Sequence, residues 1–479
     1  MSITNSNMPK SIRYGLMGAS AVQAETTLAR FSSVNGVSFS PTGSNEIRIR
    51  ISANGFMQTE KHYLHFQITT ATADAVIDTH AGCVFDRMTI EANGSIVEQI
   101  NSYGLYNAIR QNYNNDVNDL YKQVTESGSG GLNCKNTVGA FGNVSGADVA
   151  ALITSVNAQK DAFIAATNGL LVPVENSAAG EFISTGHSKH FVIQLESGLL
   201  KNNLGKALPM GLTELELVLR LAPNTQALAS AGAVTYTITN PTLYCPVMQV
   251  LNGDVLASYK SVVAQEGIMW SGTTAKTYIN AVPLAAGTKT LQINDRSISC
   301  LGMVTALRVA TADSTNANYS NGSFGYTDVN STDKITEFHY QINGTNFPAS
   351  NIKLSVAEDG LNLGRAHEET LKALAKHGED YAKSTVSVGQ LVNEFDGVYA
   401  ASPATTGTNV PRGLFSVDLK KMSDDGLRMV GYNSAQNSSP SVLELDCTVA
   451  LAAACTATTF SIVESFYQMA PNGDLSSAM

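Results

Sequence analysis

The feature that most constrains this 479-residue chain is a repeated order of elements, far too long to be a solenoid unit. Asn93-Gly94 sits between two apolar runs in MTIEANGSIVEQI, and Asn343-Gly344 has the same setting in FHYQINGTNFPAS. Asn-Gly suits a type I′ turn because both central residues need positive φ, so each stretch predicts a tight hairpin. The turns lie 250 residues apart (93 to 343). Helical spacing follows each of them, over 103–123 and 359–377, then a variable stretch, then three strand-like runs in series. Those runs are 189–196, 212–221 and 232–250 in the first half, and 413–420, 441–450 and 458–469 in the second. Upstream, 46–52 and 62–70 precede the first hairpin, as 276–282 and 288–294 precede the second. A shared order over ~230–250 residues predicts two whole domains of one build. The plain alternative is a pair of unrelated β-sandwiches.

Alternation with period two dominates locally and marks half-buried strands. Ile47, Ile49 and Ile51 alternate with Arg48 and Arg50, and Leu64, Phe66 and Ile68 with His65 and Gln67. The same pattern recurs at Phe191/Ile193/Leu195, Leu215/Leu217/Leu219/Leu221, Phe415/Val417/Leu419 and Leu443/Leu445/Cys447. Helical segments are few: 103–123, the Ala-rich 148–167, and 359–377, where Glu368 stands four before Lys372. They do not alternate with strands, which disfavours a parallel βαβ sheet. About eight strands per half suit two packed sheets, and the predicted class is all-β with a few helical insertions, as two tandem eight-stranded antiparallel jelly rolls. The expected layout is an N-terminal arm over 1–35, a first jelly roll over 36–250 with a helical and loop insertion at 104–180, and a linker at 251–257. A second jelly roll follows over 258–470, with a loop at 311–334 and the helix at 359–377, and then a tail at 471–479. The arm carries Lys10, Arg13 and Arg30 against Glu25, with Met8, Ile12, Leu16, Met17 and Leu28 to bury, which favours a tether that orders against a neighbour over a frayed terminus.

Composition narrows the function. Charged residues are 15%, against roughly 25% in ordinary soluble proteins, so neighbours or neutral polar side chains must cover much of the surface. With 30 basic and 40 acidic residues, net −10, a broad nucleic-acid-binding face is not expected. The six cysteines (Cys83, Cys134, Cys245, Cys300, Cys447, Cys455) form no CxxC, and a reducing compartment is the simpler reading. No run approaches the ~20 apolar residues of a membrane span, and the N-terminus has no secretory pattern. Sequons at Asn93, Asn143, Asn318, Asn321, Asn330, Asn343 and Asn437 are what an Asn/Ser/Thr-rich chain yields by chance.

Chemistry is sparse. His62/His65 and His187/His190 invite a metal reading, but residues three apart on a strand point to opposite faces. The cupin pattern of His-x-His is absent. Gly198–Lys206 resembles a phosphate loop only loosely, with Ala207 where Ser or Thr would hold magnesium. Glu214/Glu216 and Glu444/Asp446 could pair for acid–base work, yet solvated strand faces explain them. No Gly-x-Ser-x-Gly elbow anchors a hydrolase. The expectation is therefore no enzyme, no catalytic residue, no metal and no cofactor.

Several stretches resemble the double jelly-roll major capsid proteins of icosahedral DNA viruses. NEIRIRISANGFMQTEKHYLHFQI is similar to that family's opening strands, and CVFDRMTIEANGSIVEQINSYGLY to the hairpin and helix after them. Leu208-Pro209…Gly211-Leu212-Thr213-Glu214-Leu215 resembles a phrase of the paired strands that follow, YTITNPTLYCPVMQV looks like the segment that closes the family's first barrel, and TTFSIVESFYQMAPNG resembles the last strand with its turn at Asn472-Gly473. The family includes virophages, polinton-like viruses, large nucleocytoplasmic viruses and tailless membrane-containing phages. The resemblance implies a homotrimeric, pseudo-hexameric capsomer tiling the shell of a virion made inside a host cell. Its partners would be neighbouring capsomers and penton and minor capsid proteins, with an internal membrane left open and no specific nucleic acid. The competing class is a carbohydrate-binding or carbohydrate-cleaving β-sandwich, which would need exposed aromatics, whereas the chain has the single Trp270.

Overall fold

The computed structural model describes residues 24–71, 75–76, 80–113, 182–183, 188–202, 205, 207–210, 213–228, 235–250, 261, 263, 265, 267–309, 335–354, 361–375, 381–383, 413–420, 429–451, 455–470 and 472–478. The first barrel contains β1 (Ala24–Ser32), β2 (Glu46–Ile51), β3 (Tyr63–Thr70), β4 (Phe85–Ala92), β5 (Ser95–Asn101), helix α1 (Tyr103–Asn112), β6 (Ser188–Ile193), β7 (Leu215–Leu221) and β8 (Tyr236–Val250). The second contains β9 (Ile268–Val282), β10 (Gly287–Ile293), β11 (Cys300–Val309), β12 (Ile335–Ile342), β13 (Thr345–Lys353), helix α2 (Leu361–Leu374), β14 (Phe415–Asp418), β15 (Ser441–Cys447) and β16 (Cys455–Met469), followed by β17 (Leu475–Ala478).

Each barrel is two antiparallel sheets. Strand order is β1-β8-β3-β6 facing β2-β7-β4-β5 in the first, and β9-β16-β11-β14 facing β10-β15-β12-β13 in the second. Adding eight to each strand number converts one order into the other, which is the jelly-roll connection made twice. Both hairpins turn as their sequence demands: Asn93 and Gly94 have φ of 51° and 80°, Asn343 and Gly344 of 50° and 78°. Alternating side chains such as Ile47, Ile49 and Ile51 are buried while Arg48 and Arg50 face outward.

Three expectations need correction. Residues 24–32, placed in a strand-poor arm, form β1, paired along its length with β8. The 471–479 tail contains β17, paired with β16. The upstream matching slips by one strand: β1, β2 and β3 correspond to β9, β10 and β11, so 46–51 is the counterpart of 287–293. The slip came from overlooking β1 and β11. The first is exposed on both faces in a single chain, and the second is buried on both, so neither alternates. The 148–167 helix, the 311–334 loop, the 251–257 linker, nearly all of the 104–180 insertion and residues 1–23 of the arm lie outside the described residues.

Candidate functional site: the seam between the barrels

The most developed polar and packed arrangement lies where β5, α1 and the turn after β6 meet β9, β16 and β17. Its two strands advance together: Thr274 of β9 meets Glu98 of β5, and Thr277 Oγ1 donates to the Asn101 carbonyl at 2.8 Å, three residues on in each strand. The barrels therefore stand parallel, with the Asn-Gly hairpins at one end and the starts of α1 and α2 at the other.

Ser102, at φ 50°, turns the chain from β5 into α1. This helix is buried all round, so its polar groups must find partners. Tyr106 packs on Phe460 of β16 at 5.4 Å between ring centroids, and Tyr113 lies 6.0 Å from His367 of α2. Arg110 Nη1 donates to the Leu374 carbonyl at 2.8 Å. Burial pushes the Tyr106 phenol up to about 12, which keeps it neutral. One hydrophobic cluster runs without a break from the first barrel's interior across the seam to Val304, Ala306, Phe460 and Ile462, on the outer face of the β9-β16-β11-β14 sheet. The second barrel's interior is a separate cluster.

At the centre lies the fully buried Glu98. Its carboxylate accepts from Ser197 Oγ at 2.6 Å, the Gly198 N–H at 2.8 Å, the Leu199 N–H at 3.1 Å and, across the seam, Thr274 Oγ1 at 2.6 Å. A buried carboxylate is tolerated when such donors surround it. Beside it the two backbones nearly touch: a Cβ on Gly272 would stand 2.0 Å from the Gly198 oxygen, and one on Gly198 would stand 2.6 Å from the Tyr467 hydroxyl. Only glycine fits at either place. At the base of the seam, β17 reaches the first barrel through Ser477 Oγ to the Val97 carbonyl (2.6 Å), and Asn93 Nδ2 donates to Asp474 Oδ1 (3.3 Å).

The residues singled out in the sequence fall into other roles. Within the Gly198–Lys206 segment, the Gly198 and Leu199 N–H groups donate to the chain's own Glu98 side chain, and Lys201 Nζ pairs with Glu196 at 2.5 Å. Glu214 and Glu216 bind Arg50 and Arg48 of the neighbouring strand, so they do not face each other as an acid–base pair. Glu444 lies 3.3 Å from His339, and Asp446 accepts from Thr288. Trp270 is buried against Tyr467 at 6.2 Å, so it presents no platform for a sugar. His62 and His65 do not come together as a pair. His62 is buried, held by the Thr59 carbonyl and the Leu195 N–H, and desolvation lowers it to about 4. His65 instead meets His190, Nε2 to Nδ1 at 3.1 Å, while His187 lies outside the described residues. No group of three or more metal-ligating side chains occurs among the described residues. The five described cysteines are buried and form no disulfide with one another.

No protein-family model matches the sequence, and no curated protein matches it. Solved structures do. The chain is similar to the PBCV-1 virus capsid in a quasi-atomic model, with TM-score 0.55 and 11% identity over 97% of this chain and 100% of that one. It is similar to the Faustovirus major capsid protein, with TM-score 0.53 and 7% identity over 95% and 93%. A chain of the Sputnik virophage, solved by cryo-EM, gives 0.52 and 11% over 100% and 93%. At such identities the likeness is one of fold. The chain shares the double jelly-roll fold of those structures.

Proposed function

We propose that the chain is a major capsid protein, a structural subunit that closes in threes into a pseudo-hexameric capsomer of a virion shell. One observation carries the reading: the two strand edges that meet inside the chain recur, uncovered, at its far ends. In the seam, β5 of the first barrel packs beside β9 of the second. Their counterparts under the offset of eight in strand number are β13 and β1, and both are mostly exposed. A second copy that places its β1 against this copy's β13 repeats the seam between chains. Such a head-to-tail contact closes a ring when the rotation allows, and six parallel barrels from three chains would make that ring. Exposed edges otherwise invite uncontrolled pairing, and ring closure removes them.

The sparse charge suits wide lateral contacts, where buried unpaired charge is costly. On this reading the partners are two further copies, neighbouring capsomers, and penton and minor capsid proteins, and the segments 104–180 and 311–334 lie on exposed or inter-capsomer surfaces. The strands flanking 311–334 put its two ends together: β11 ends and β12 begins at the rim away from the Asn343-Gly344 hairpin. Electron microscopy of the purified protein tests the proposal. Pseudo-hexagonal particles of three chains are expected, and dispersed two-barrel monomers would refute it.

A further inference from the structure

Among the described residues, the outer face of the β1-β8-β3-β6 sheet carries a feature that its counterpart lacks. In the second barrel the matching face is apolar, with Val304, Ala306, Phe460 and Ile462 buried against the first barrel. In the first barrel the same face is uncovered and bears two stacked pairs. Tyr63 lies on Tyr244 at 5.0 Å, and His65 lies on His190 at 5.3 Å with their nitrogens 3.1 Å apart. The histidines sit on adjacent strands, β3 and β6, and are brought together by register rather than by sequence.

We propose that the His65–His190 pair lies in the contact between copies and makes ring closure depend on pH. This rests on the capsomer reading above, because the seam is the template that places a neighbour on this face. The neutral pair satisfies itself: one imidazole N–H donates to the other ring's bare nitrogen. Protonating both rings removes the acceptor and sets two cations side by side. The groups around His65 make this worse. His190 lies diagonally across on β6, beside Val192, the direct partner of His65, and Arg30 lies on β1, each a cation when charged, while Thr242 stands opposite on β8. Burial, His190 and Arg30, in that order, already lower the affinity of His65 for a proton in the single chain. A neighbour covering the face would desolvate the pair further, so the separated chain binds protons more readily than the ring. By linkage, falling pH then favours separation.

Sedimentation equilibrium at pH 8.0, 7.0, 6.0 and 5.5 tests this on the full chain and on a His65→Gln/His190→Gln variant, with circular dichroism confirming that each sample stays folded. The full chain should be trimeric at pH 8.0, with its trimer dissociation constant rising roughly tenfold or more by pH 5.5. The variant should respond much less. A folded full chain whose association is indifferent to pH, or that weakens in step with the variant, overturns the histidine proposal and leaves the capsomer intact. Failure of both proteins to form trimers at pH 8.0 refutes the capsomer reading itself.

Discussion

The β5–β9 seam and the β13 and β1 edges place the same kinds of strand in opposite surroundings. At the seam, Glu98 is satisfied from both barrels, and Gly198 and Gly272 let two backbones touch. At the ends, Leu28 of β1 is 55% exposed and much of β13 faces solvent. The chain has thus invested glycine and a buried carboxylate in the contact that must never open. On the capsomer proposal, it leaves a more polar, titratable face for the contact that would form when copies meet. Permanent and reversible association call for different chemistry on the same scaffold, and two barrels in one chain allow each to evolve separately.

Substitutions at the seam should cost most. Replacing Glu98 with Ala strands four buried donors, and should lower unfolding stability by about 4 kcal/mol or more in urea melts. Glu98→Gln, which keeps one acceptor oxygen, should cost less, about 1–3 kcal/mol. Equal losses for the two would mean that Glu98 fills space without anchoring donors. Gly272→Ala forces a methyl into the Gly198 carbonyl and should destabilise by at least about 3 kcal/mol, or spring the barrels apart as seen by small-angle scattering. A wild-type melt would show the close approach to be unimportant.

His62 gives a pH effect of known sign. Its folded value is about 4, below the ordinary value of 6.5. Above pH 6.5 neither state takes up the proton. As pH falls from 6.5 towards 4 the unfolded chain binds it and the folded one resists, so stability is lost across that window, by up to about 3 kcal/mol. Melts of wild type and His62→Gln at pH 7.5 and 4.5 isolate this share, and the variant should lose less on acidification. Parallel losses would remove His62 as a cause.

At the free edge the balance reverses. Leu28→Lys should leave single-chain stability within about 0.5 kcal/mol while weakening trimer formation roughly tenfold, read by sedimentation. If association is untouched, β1 is not part of the contact. The smallest effect contrasts two glycines under one substitution. A Cβ at Gly364, in α2, meets nothing within 4 Å, so Gly364→Ala should raise stability by about 0.5–1 kcal/mol, the opposite of Gly272→Ala.

Much of each barrel was legible in the sequence because its strands have one wet face. The Asn-Gly turns, the helices after them and the three closing strands follow from alternation and turn chemistry. β11 was not legible: Leu301, Val304 and Ala306 meet the seam while Met303 and Leu307 face the interior, so packing between barrels erases the period of two. β1 failed for the reverse reason, being exposed along most of its length and so having little to bury. The seam itself left no local signal. Glu98 and Thr274 are 176 residues apart, His65 and His190 are 125 apart, and only the folded register joins them. Gly198 was visible in the sequence, but the carboxyl group its N–H meets comes from a strand 100 residues earlier.

The central claim is that one contact is used twice, once within the chain and once between chains, so that the ring closes at three. Native mass spectrometry of the purified protein at micromolar concentration tests it most directly. The account predicts one dominant species at three times the 50.6 kDa chain mass, with no ladder beyond it. A monomer, or an open series of dimers, tetramers and higher species, would contradict it.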